Sequence, residues 1–407
     1  MSRWWHREEK LNYFKLKDIA TIYNGNSINK TEKKQKYMND VQGWNYIATK
    51  DVGFDGKIMY KNGVIIPYSE AKFKIAPAGT VLVCSEGGSA GKKTAITTED
   101  VCFGNKLFAI VNDKEKFNSK YIYYYTRYGE FVKQFKLLAT SLMGGISLKN
   151  FGMIKVPLPP LDEQQYIVEY LEKWFSELDK SEETLQTIKK QLEIYRQAVL
   201  KEAFSSLNEK VQIRNISSMV TSGSRGWAKY YNEEGVRFIR ITDLTRNHIK
   251  LKNDAIQRVR LPENAEGKRS RLQGGDVLIS ITADLGSIAL IPDSIEESYI
   301  NQHIAVVRFN NIRQGEFMAW YLKSEYGQKD LLKNKRGGGK LGLGLDDIRN
   351  TVVPVVSNEI SDRIVKEIDS RLSVCDSIEQ TVDTVLSQAE ALRQSILKKA
   401  FEGGLSE

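Results

Sequence analysis

The chain has 407 residues, of which 41% are hydrophobic and 27% are charged, and it carries a formal net charge of +9. This composition is sufficient for ordinary hydrophobic cores, but no apolar run is long enough to span a membrane, and the first ten residues lack the apolar core of a signal peptide. The three cysteines, Cys84, Cys102 and Cys375, lack the spacing of metal ligands, so we expect reduced core thiols and a cytoplasmic protein.

The first 160 residues predict a mixed α/β lobe built mainly on a sheet. Its segments are a short element that runs into a glycine loop, an alternating strand region, a pair of strands around a small polar loop, a further strand, an aromatic helix and a glycine-rich basic loop: residues 15–25, 43–58, 76–96, 103–111, 119–138 and 139–150. The last loop leads to Pro157, Pro159 and Pro160.

Residues 161–204 predict one helix, roughly 65 Å long at the usual helical rise. It contains no proline or glycine, and Asp162 and Glu163 suit the positive end of its dipole. Spacings that alternate between four and three residues predict the seam of a coiled coil: Ile167, Leu171, Trp174, Leu178, Ser181, Leu185, Ile188, Leu192, Tyr195 and Val199. A single helix cannot bury such a seam, so we expect a partner helix.

Residues 207–358 repeat the order of the first lobe with different loops. The matching segments are 212–223, 235–250, 272–291, 299–307, 315–332 and 333–347. Pairing 103–111 with 299–307 places Asn105 opposite Asn301.

The partner helix follows 197 residues after the first, and Gly403 and Gly404 are expected to end it. Arg196 matches Arg393, and Phe204 matches Phe401. Its predicted seam is Ile364, Ile368, Arg371, Cys375, Ile378, Val382, Val385, Ala389, Leu392 and Ile396. The chain is therefore a tandem duplication with a period near 200 residues.

The duplication predicts a mixed α/β chain of two globular lobes separated by two long helices. The helices would form an intramolecular antiparallel coiled coil with pseudo-two-fold symmetry. The predicted domains are residues 1–160, 161–206, 207–358 and 359–407, with net charges of +11, −4, +6 and −4. Basic lobes suit a phosphate backbone and an acidic rod does not, although a basic pI is also common among proteins with other tasks.

No catalytic motif is recognisable. The segment at 86–94, EGGSAGKKT, resembles a P-loop, but Glu86 stands where glycine is required and Lys93 stands where serine or threonine is required. There is no serine-hydrolase motif, spaced cysteine or histidine cluster, or amino-methyltransferase motif. The histidines are scattered: His6, His248 and His303. The sequence therefore predicts a binding protein with no metal site.

Two unlike basic lobes and two nearly identical long helices, joined to the segment PLPPLDEQ at 157–164, resemble the specificity (S) subunit of type I restriction–modification systems. The helix endings RQAVLKEAF at 196–204 and RQSILKKAF at 393–401 carry the same resemblance. The second copy departs from the pattern at 354–359, where it lacks the double proline and the glutamine.

This resemblance implies that each lobe is a target recognition domain that reads one half of a bipartite, asymmetric DNA site. The coiled coil would set the unread spacer and dock two methyltransferase subunits, and motor-nuclease subunits are possible further partners. The chain would be non-catalytic by itself. S-adenosylmethionine, ATP and magnesium are expected on the partner subunits, and no cofactor is expected in this chain.

Base readout requires paired donors and acceptors, which favours Arg, Lys, Asn and Gln. The predicted contacts are Lys50, Ser85, Lys92, Lys93, Asn105 and Lys106 in the first lobe, and Arg240, Thr242, Arg246, Thr282, Asn301 and Gln302 in the second. The predicted phosphate contacts in the glycine-rich loops are Lys149, Lys335, Arg336 and Lys340. Each of these residues could also be a solvated surface residue, and both asparagines could be structural.

Three other functions stay open at this point. A stand-alone DNA-binding regulator would need no partner subunit. A nuclease or methyltransferase with an unrecognised site would turn over alone, which the missing motifs disfavour. A coiled-coil scaffold would not need basic, loop-rich lobes.

Overall fold

The structure is a computed structural model that describes residues 12–38, 42–112, 115–139, 144–263, 268–333 and 342–402. The chain divides into two compact units. Unit 1 comprises Met1–Glu183 and Val385–Glu407, and unit 2 comprises Thr184–Thr384. Both long helices are therefore shared between the units. The predicted domain boundaries treat the helices as separate segments, and these boundaries stay a prediction. None of the helices in the described part of the chain is long and apolar enough to cross a membrane.

Unit 1 is a mixed α/β unit of short strands and helices. Its strands are β1 (Tyr13–Lys15), β2 (Thr21–Asn24), β3 (Gly43–Ile47), β4 (Ile65–Pro67), β5 (Ile75–Ala76), β6 (Val81–Cys84), β7 (Thr94–Ile96), β8 (Val101–Phe103), β9 (Leu107–Val111) and β10 (Lys155–Pro157). Its helices are α1 (Leu16–Ile19), α2 (Lys30–Lys36), α3 (Ser119–Arg127), α4 (Gly129–Leu138), α5 (Leu148–Phe151) and the first part of α6 (Leu161–Phe204).

Two four-stranded sheets form the centre of this unit. One has the order β2-β9-β6-β7 and is antiparallel throughout. The other has the order β4-β3-β8-β5, in which only β3 and β8 run parallel. Strand β6 consists of VLVC and is buried on both faces, which explains its continuous apolar run.

Unit 2 contains the corresponding elements. Its strands are β11 (Lys210–Gln212), β12 (Ser217–Ser222), β13 (Tyr231–Asn232), β14 (Val236–Ile239), β15 (Arg258–Val259), β16 (Val277–Ser280), β17 (Ile288–Leu290), β18 (Ser298–Ile300), β19 (Ile304–Phe309) and β20 (Val352–Pro354). Its helices are α7 (Ile213–Ile216), α8 (Gly315–Lys323), α9 (Glu325–Leu331), α10 (Leu345–Asn350) and the first part of α11 (Asn358–Phe401), together with the end of α6.

The sheets of unit 2 repeat the topology of unit 1. One is an antiparallel sheet of order β12-β19-β16-β17, and the other has the order β13-β15-β14-β18 with β14 and β18 parallel. The pair β1-β10 has its counterpart in β11-β20, immediately before each long helix. The mixed α/β class and the internal duplication are therefore confirmed.

Backbone hydrogen bonds align the two lobes residue by residue. The N–H of Gly104 donates to the carbonyl of Ile47 at 2.9 Å, and the N–H of Asn301 donates to that of Ile239 at 3.1 Å. Asn301 therefore corresponds to Gly104 and not to Asn105, so the predicted pairing of the two asparagines is wrong by one residue. Comparison of the segments alone could not detect this shift, because both registers place apolar residues along the following strand.

The long helices pair antiparallel in each unit, as predicted. In unit 1, Arg393 binds Glu182 at 3.2 Å and also Asp179. In unit 2, the guanidinium of Arg196 binds Asp376 at 2.7 Å and Glu379 at 2.9 Å. Each of the three residues in one ion-pair cluster lies 197 positions from its counterpart in the other cluster.

One of the two lines that make up the predicted seam requires correction. The predicted positions that are buried or partly buried are Ile167, Leu171, Leu178, Leu185, Ile188, Leu192, Val199, Ile364, Ile368, Arg371, Cys375, Val382, Ala389 and Ile396. The predicted seam positions that lie exposed are Trp174, Ser181, Tyr195, Ile378, Val385 and Leu392. The second buried line falls one residue later, where α6 carries Phe175 and Arg196. Part of this line is charged and is stabilised by ion pairs, so the apolar pattern of the sequence favours the neighbouring exposed line.

Candidate nucleic-acid interface

Three loops of unit 1 meet at the ends of β6 and β8. The N–H of Ser85 donates to the carbonyl of Lys106 at 2.9 Å, and the N–H of Ile146 donates to that of Ser85 at 3.1 Å. Asn105 and Lys106 are exposed in the turn between β8 and β9, whereas the Ser85 side chain is buried. The ammonium of Lys106 lies 2.6 Å from Glu86. This hydrogen bond raises the pKa of Lys106, so the ammonium is charged and paired with the carboxylate of Glu86.

A second group of predicted contacts adjoins the short 3-10 helix Thr49–Asp51 that follows β3. The Nζ of Lys93 donates to the carbonyl of Thr49 at 3.3 Å and lies 5.0 Å from the ring centroid of Phe54. Lys50 projects from this 3-10 helix and is exposed. Lys92 is also exposed beside Lys93 on the strand-connecting loop. The structure therefore brings Lys50 and Lys93 to one edge of the lobe.

The 3-10 helix Ile241–Asp243 occupies the corresponding place in unit 2. The side chains of Arg240 and Thr242 both contact Asp243, at 3.6 Å and 3.2 Å. Arg240 also donates to the carbonyl of Ala255 at 3.3 Å. These contacts give both predicted residues a local structural role in addition to the predicted role in DNA binding.

His303 joins two other predicted contacts of unit 2. Its Nδ1 lies 2.6 Å from Thr282 Oγ1, and its Nε2 lies 3.0 Å from Gln302 Nε2. The backbone N–H of His303 donates to Asn301 Oδ1 at 3.1 Å, so Asn301 stabilises its own turn. His303 is isolated in the sequence, so no motif marks it, and the only local signal is its place between a predicted contact and a buried strand.

Arg246 lies apart from these residues in a different setting. It binds Asp284, with an Nε–Oδ1 distance of 3.0 Å, and donates to the carbonyl of Leu285 at 2.9 Å. Burial opposes ionisation of Asp284, but hydrogen bonds from Arg246 and Ser287 lower its pKa overall. Arg246 and Lys323 line a cavity of about 590 Å³ within unit 2.

Of the remaining predicted residues, one lies within the described ranges and the others lie outside them. Lys149 is exposed on α5. The residues outside the described ranges are His6, Lys335, Arg336, Lys340, Gly403 and Gly404. Within the described ranges, no three His, Cys, Asp or Glu side chains are grouped as a metal site.

Comparisons with known proteins agree with the fold and the internal duplication. The family model for the type I restriction modification DNA specificity domain matches residues 8–193 and 208–388. The chain belongs to this family. It is a DNA specificity subunit of a type I restriction–modification system, and therefore not a catalytic subunit. The stand-alone regulator is not favoured.

Curated relatives agree with this assignment. The type I restriction enzyme EcoBI specificity subunit of Escherichia coli is 23% identical over 425 residues, which cover 96% of this chain and 85% of the relative. The EcoKI specificity subunit of Escherichia coli strain K12 is 25% identical over 384 residues, which cover 86% of this chain and 80% of the relative. Both alignments extend across most of this specificity subunit.

A solved structure shares the fold. A chain described under "Structural basis underlying complex assembly and conformational transition of the type I R-M system" superposes with a TM-score of 0.73. The two chains are 18% identical, and the match covers 97% of this chain and 98% of the other.

Proposed function

We propose that each lobe of this specificity subunit reads one half of a bipartite, asymmetric DNA site through the loops at the ends of its central strands. The observation that supports this most directly is a shared backbone with different side chains. The N–H of Ser85 donates to the carbonyl of Lys106, and the N–H of Ile281 donates to the carbonyl of His303, both at 2.9 Å. One scaffold thus presents lysine in one lobe and histidine in the other, which suits two different half-sites.

The predicted contacts divide by chemistry into base and phosphate contacts. Arg, Lys, Asn and Gln side chains at the strand ends are suited to base edges, whereas lysines and arginines of the glycine-rich loops are suited to phosphates. Lys149 represents the second group in unit 1. The corresponding residues of unit 2 lie outside the described ranges and stay predictions.

We also propose that the long helices set the spacer between the half-sites and dock two methyltransferase subunits. Large apolar side chains are exposed on both helices, among them Trp174, Ile194, Val374 and Leu392. Exposed apolar groups on otherwise charged helices are typical of a protein–protein interface. S-adenosylmethionine, ATP and magnesium would belong to partner subunits. Motor-nuclease subunits and the cytoplasmic location stay predictions.

A randomised double-stranded DNA library tests this proposal. The chain is used alone and together with its cognate methyltransferase subunit, and the bound DNA is sequenced. We expect one asymmetric split sequence with a fixed gap, enriched clearly only when the partner is present. Equal enrichment without the partner would contradict the role of the methyltransferase, and no enrichment in either case would contradict the proposed DNA readout.

A further inference from the structure

Corresponding loops follow β3 and β14, and both are organised by a buried aspartate. Asp51 Oδ2 accepts a hydrogen bond from the N–H of Ala48 at 2.9 Å, and Asp243 Oδ2 accepts one from the N–H of Arg240 at 2.8 Å. Both carboxylates are almost completely buried. The same hydrogen bond from backbone N–H to aspartate therefore fixes the start of the loop in both lobes.

Each loop is also held by a basic side chain from the end of the neighbouring helix. Arg127, the last residue of α3, donates to the carbonyl of Phe54 at 3.1 Å. Lys323, the last residue of α8, donates to the carbonyl of Thr245 at 2.9 Å. The backbone of both loops is thus anchored, while the third residue after the aspartate differs, with Phe54 in unit 1 and Arg246 in unit 2.

The loop that carries Phe54 has a defined conformation. The N–H of Gly53 donates to the carbonyl of Lys57 at 2.9 Å. Gly56 has a φ of +84°, and a Cβ added there would lie 2.0 Å from the hydroxyl of Tyr123, so only glycine allows this approach to α3. The loop therefore holds Phe54 in place.

The side chain of Phe54 is nevertheless 61% exposed. The ring is therefore available for contact with a ligand, and its burial against an apolar group would remove it from water favourably. Lys93, a predicted DNA contact, lies 5.0 Å from the ring centroid. The exposed ring is thus next to a cation suited to DNA.

We infer that Phe54 is a specificity-determining residue of the first lobe, and that its ring contacts the C5-methyl group of a thymine in the major groove. This inference rests on the proposed reading of one half-site by each lobe. Thymine alone among the four bases presents a methyl group in the major groove, and phenylalanine is among the side chains that contact it. Arg246 gives the corresponding position of the second lobe a different chemistry.

The test uses the full chain with its methyltransferase subunit and the enriched DNA site. Each thymine of the first half-site is replaced in turn by deoxyuridine, which removes only the methyl group. At one position the wild-type complex should lose about fourfold in affinity, the value expected for one buried methyl group. The Phe54→Ala complex should bind the thymine and deoxyuridine sites equally well and should keep its preference in the other half-site.

Tyr68→Ala is the matched control. Tyr68 is an aromatic residue of the same unit, is 58% exposed, and packs against Trp44 with ring centroids 4.6 Å apart. This variant should retain the thymine preference of the wild type. The Phe54→Leu variant keeps an apolar group and should retain part of the preference, which guards against a general effect of the Phe54→Ala change on folding.

Two results would overturn the inference about Phe54. One is a wild-type complex that binds all deoxyuridine sites as tightly as the thymine site. The other is a Phe54→Ala complex that discriminates as the wild type does. Failure of the wild-type complex to select any split site would instead contradict the proposed function, so the two failures are distinguishable.

Discussion

Lys323 stabilises a loop from a buried position that disfavours its own charged form. Its side chain is 6% exposed, and its Nζ donates to the carbonyl of Thr245. Burial and, to a smaller extent, the adjacent Arg246 lower the pKa of Lys323 to about 7, although Asp284 acts to raise it. The charged form is therefore disfavoured in the folded protein.

The free energy of unfolding should consequently depend on the pH through Lys323. Between pH 7 and the ordinary pKa of 10.5, the unfolded chain retains a proton that the folded chain has released, so this lysine makes stability rise with pH. We expect the free energy of unfolding of the wild type, relative to that of Lys323→Met, to increase by about 2 kcal/mol from pH 7 to pH 9. Denaturant unfolding at both pH values measures it. The free energy of unfolding of the exposed Lys229→Met variant should change with pH as that of the wild type does. The same pH dependence for Lys323→Met and the wild type would contradict the prediction.

At the scale of elements, the pairing of the long helices combines an apolar line with a charged one. Leu171, Leu178, Leu185 and Leu192 recur every seven residues, so apolar packing alone distinguishes poorly between registers shifted by one heptad. Arg196 meets two carboxylates in unit 2, and its counterpart Arg393 does so in unit 1. Buried polar groups of this kind can specify register in coiled coils.

Loss of the Arg196 ion pairs should therefore destabilise unit 2. The Arg196 side chain is 5% exposed, but its partners Asp376 and Glu379 are partly exposed and would be rehydrated. We expect Arg196→Met to lower the free energy of unfolding by about 2 kcal/mol, between the values for buried and surface pairs. Denaturant unfolding provides the measurement.

The control for Arg196→Met is Lys189→Met. The ammonium of Lys189 also bridges the two helices, at 2.7 Å from Asp383, but both side chains are substantially exposed. Its loss should cost less than about 1 kcal/mol. Equal costs for the two variants would show that burial of Arg196 contributes nothing.

At the scale of the whole molecule, the helices carry two kinds of apolar residue. One set is buried in the units, and the other set lies exposed. Trp174 belongs to the second set, with a side chain that is 44% exposed beside Tyr170. Its position in the repeating pattern resembles a coiled-coil seam, yet the neighbouring Phe175 is the buried residue. We therefore assign Trp174 to the proposed methyltransferase dock.

Trp174→Ala should weaken methyltransferase binding with little effect on folding. Exposed tryptophans at interfaces often contribute more than about 2 kcal/mol to binding, so we expect the affinity to fall at least tenfold. Titration of the purified chain with its methyltransferase subunit measures this change, and thermal unfolding checks the fold. Lys173→Ala, at the adjacent exposed position, should bind nearly as tightly as the wild type. An unchanged affinity for Trp174→Ala would remove this residue from the dock.

The amino-acid sequence predicts the duplication, the two long helices and their antiparallel pairing, because these depend on periodicity and on a repeat that extends over whole elements. It also placed the basic loops at strand ends, because turns and buried strands have local signals. Which heptad line is buried depends on tertiary contacts, since the charged line has partners 180 residues or more away, such as Asp376 for Arg196. The match of Asn301 to Gly104 and the exposure of Phe54 likewise depend on contacts between distant segments, which no local pattern contains.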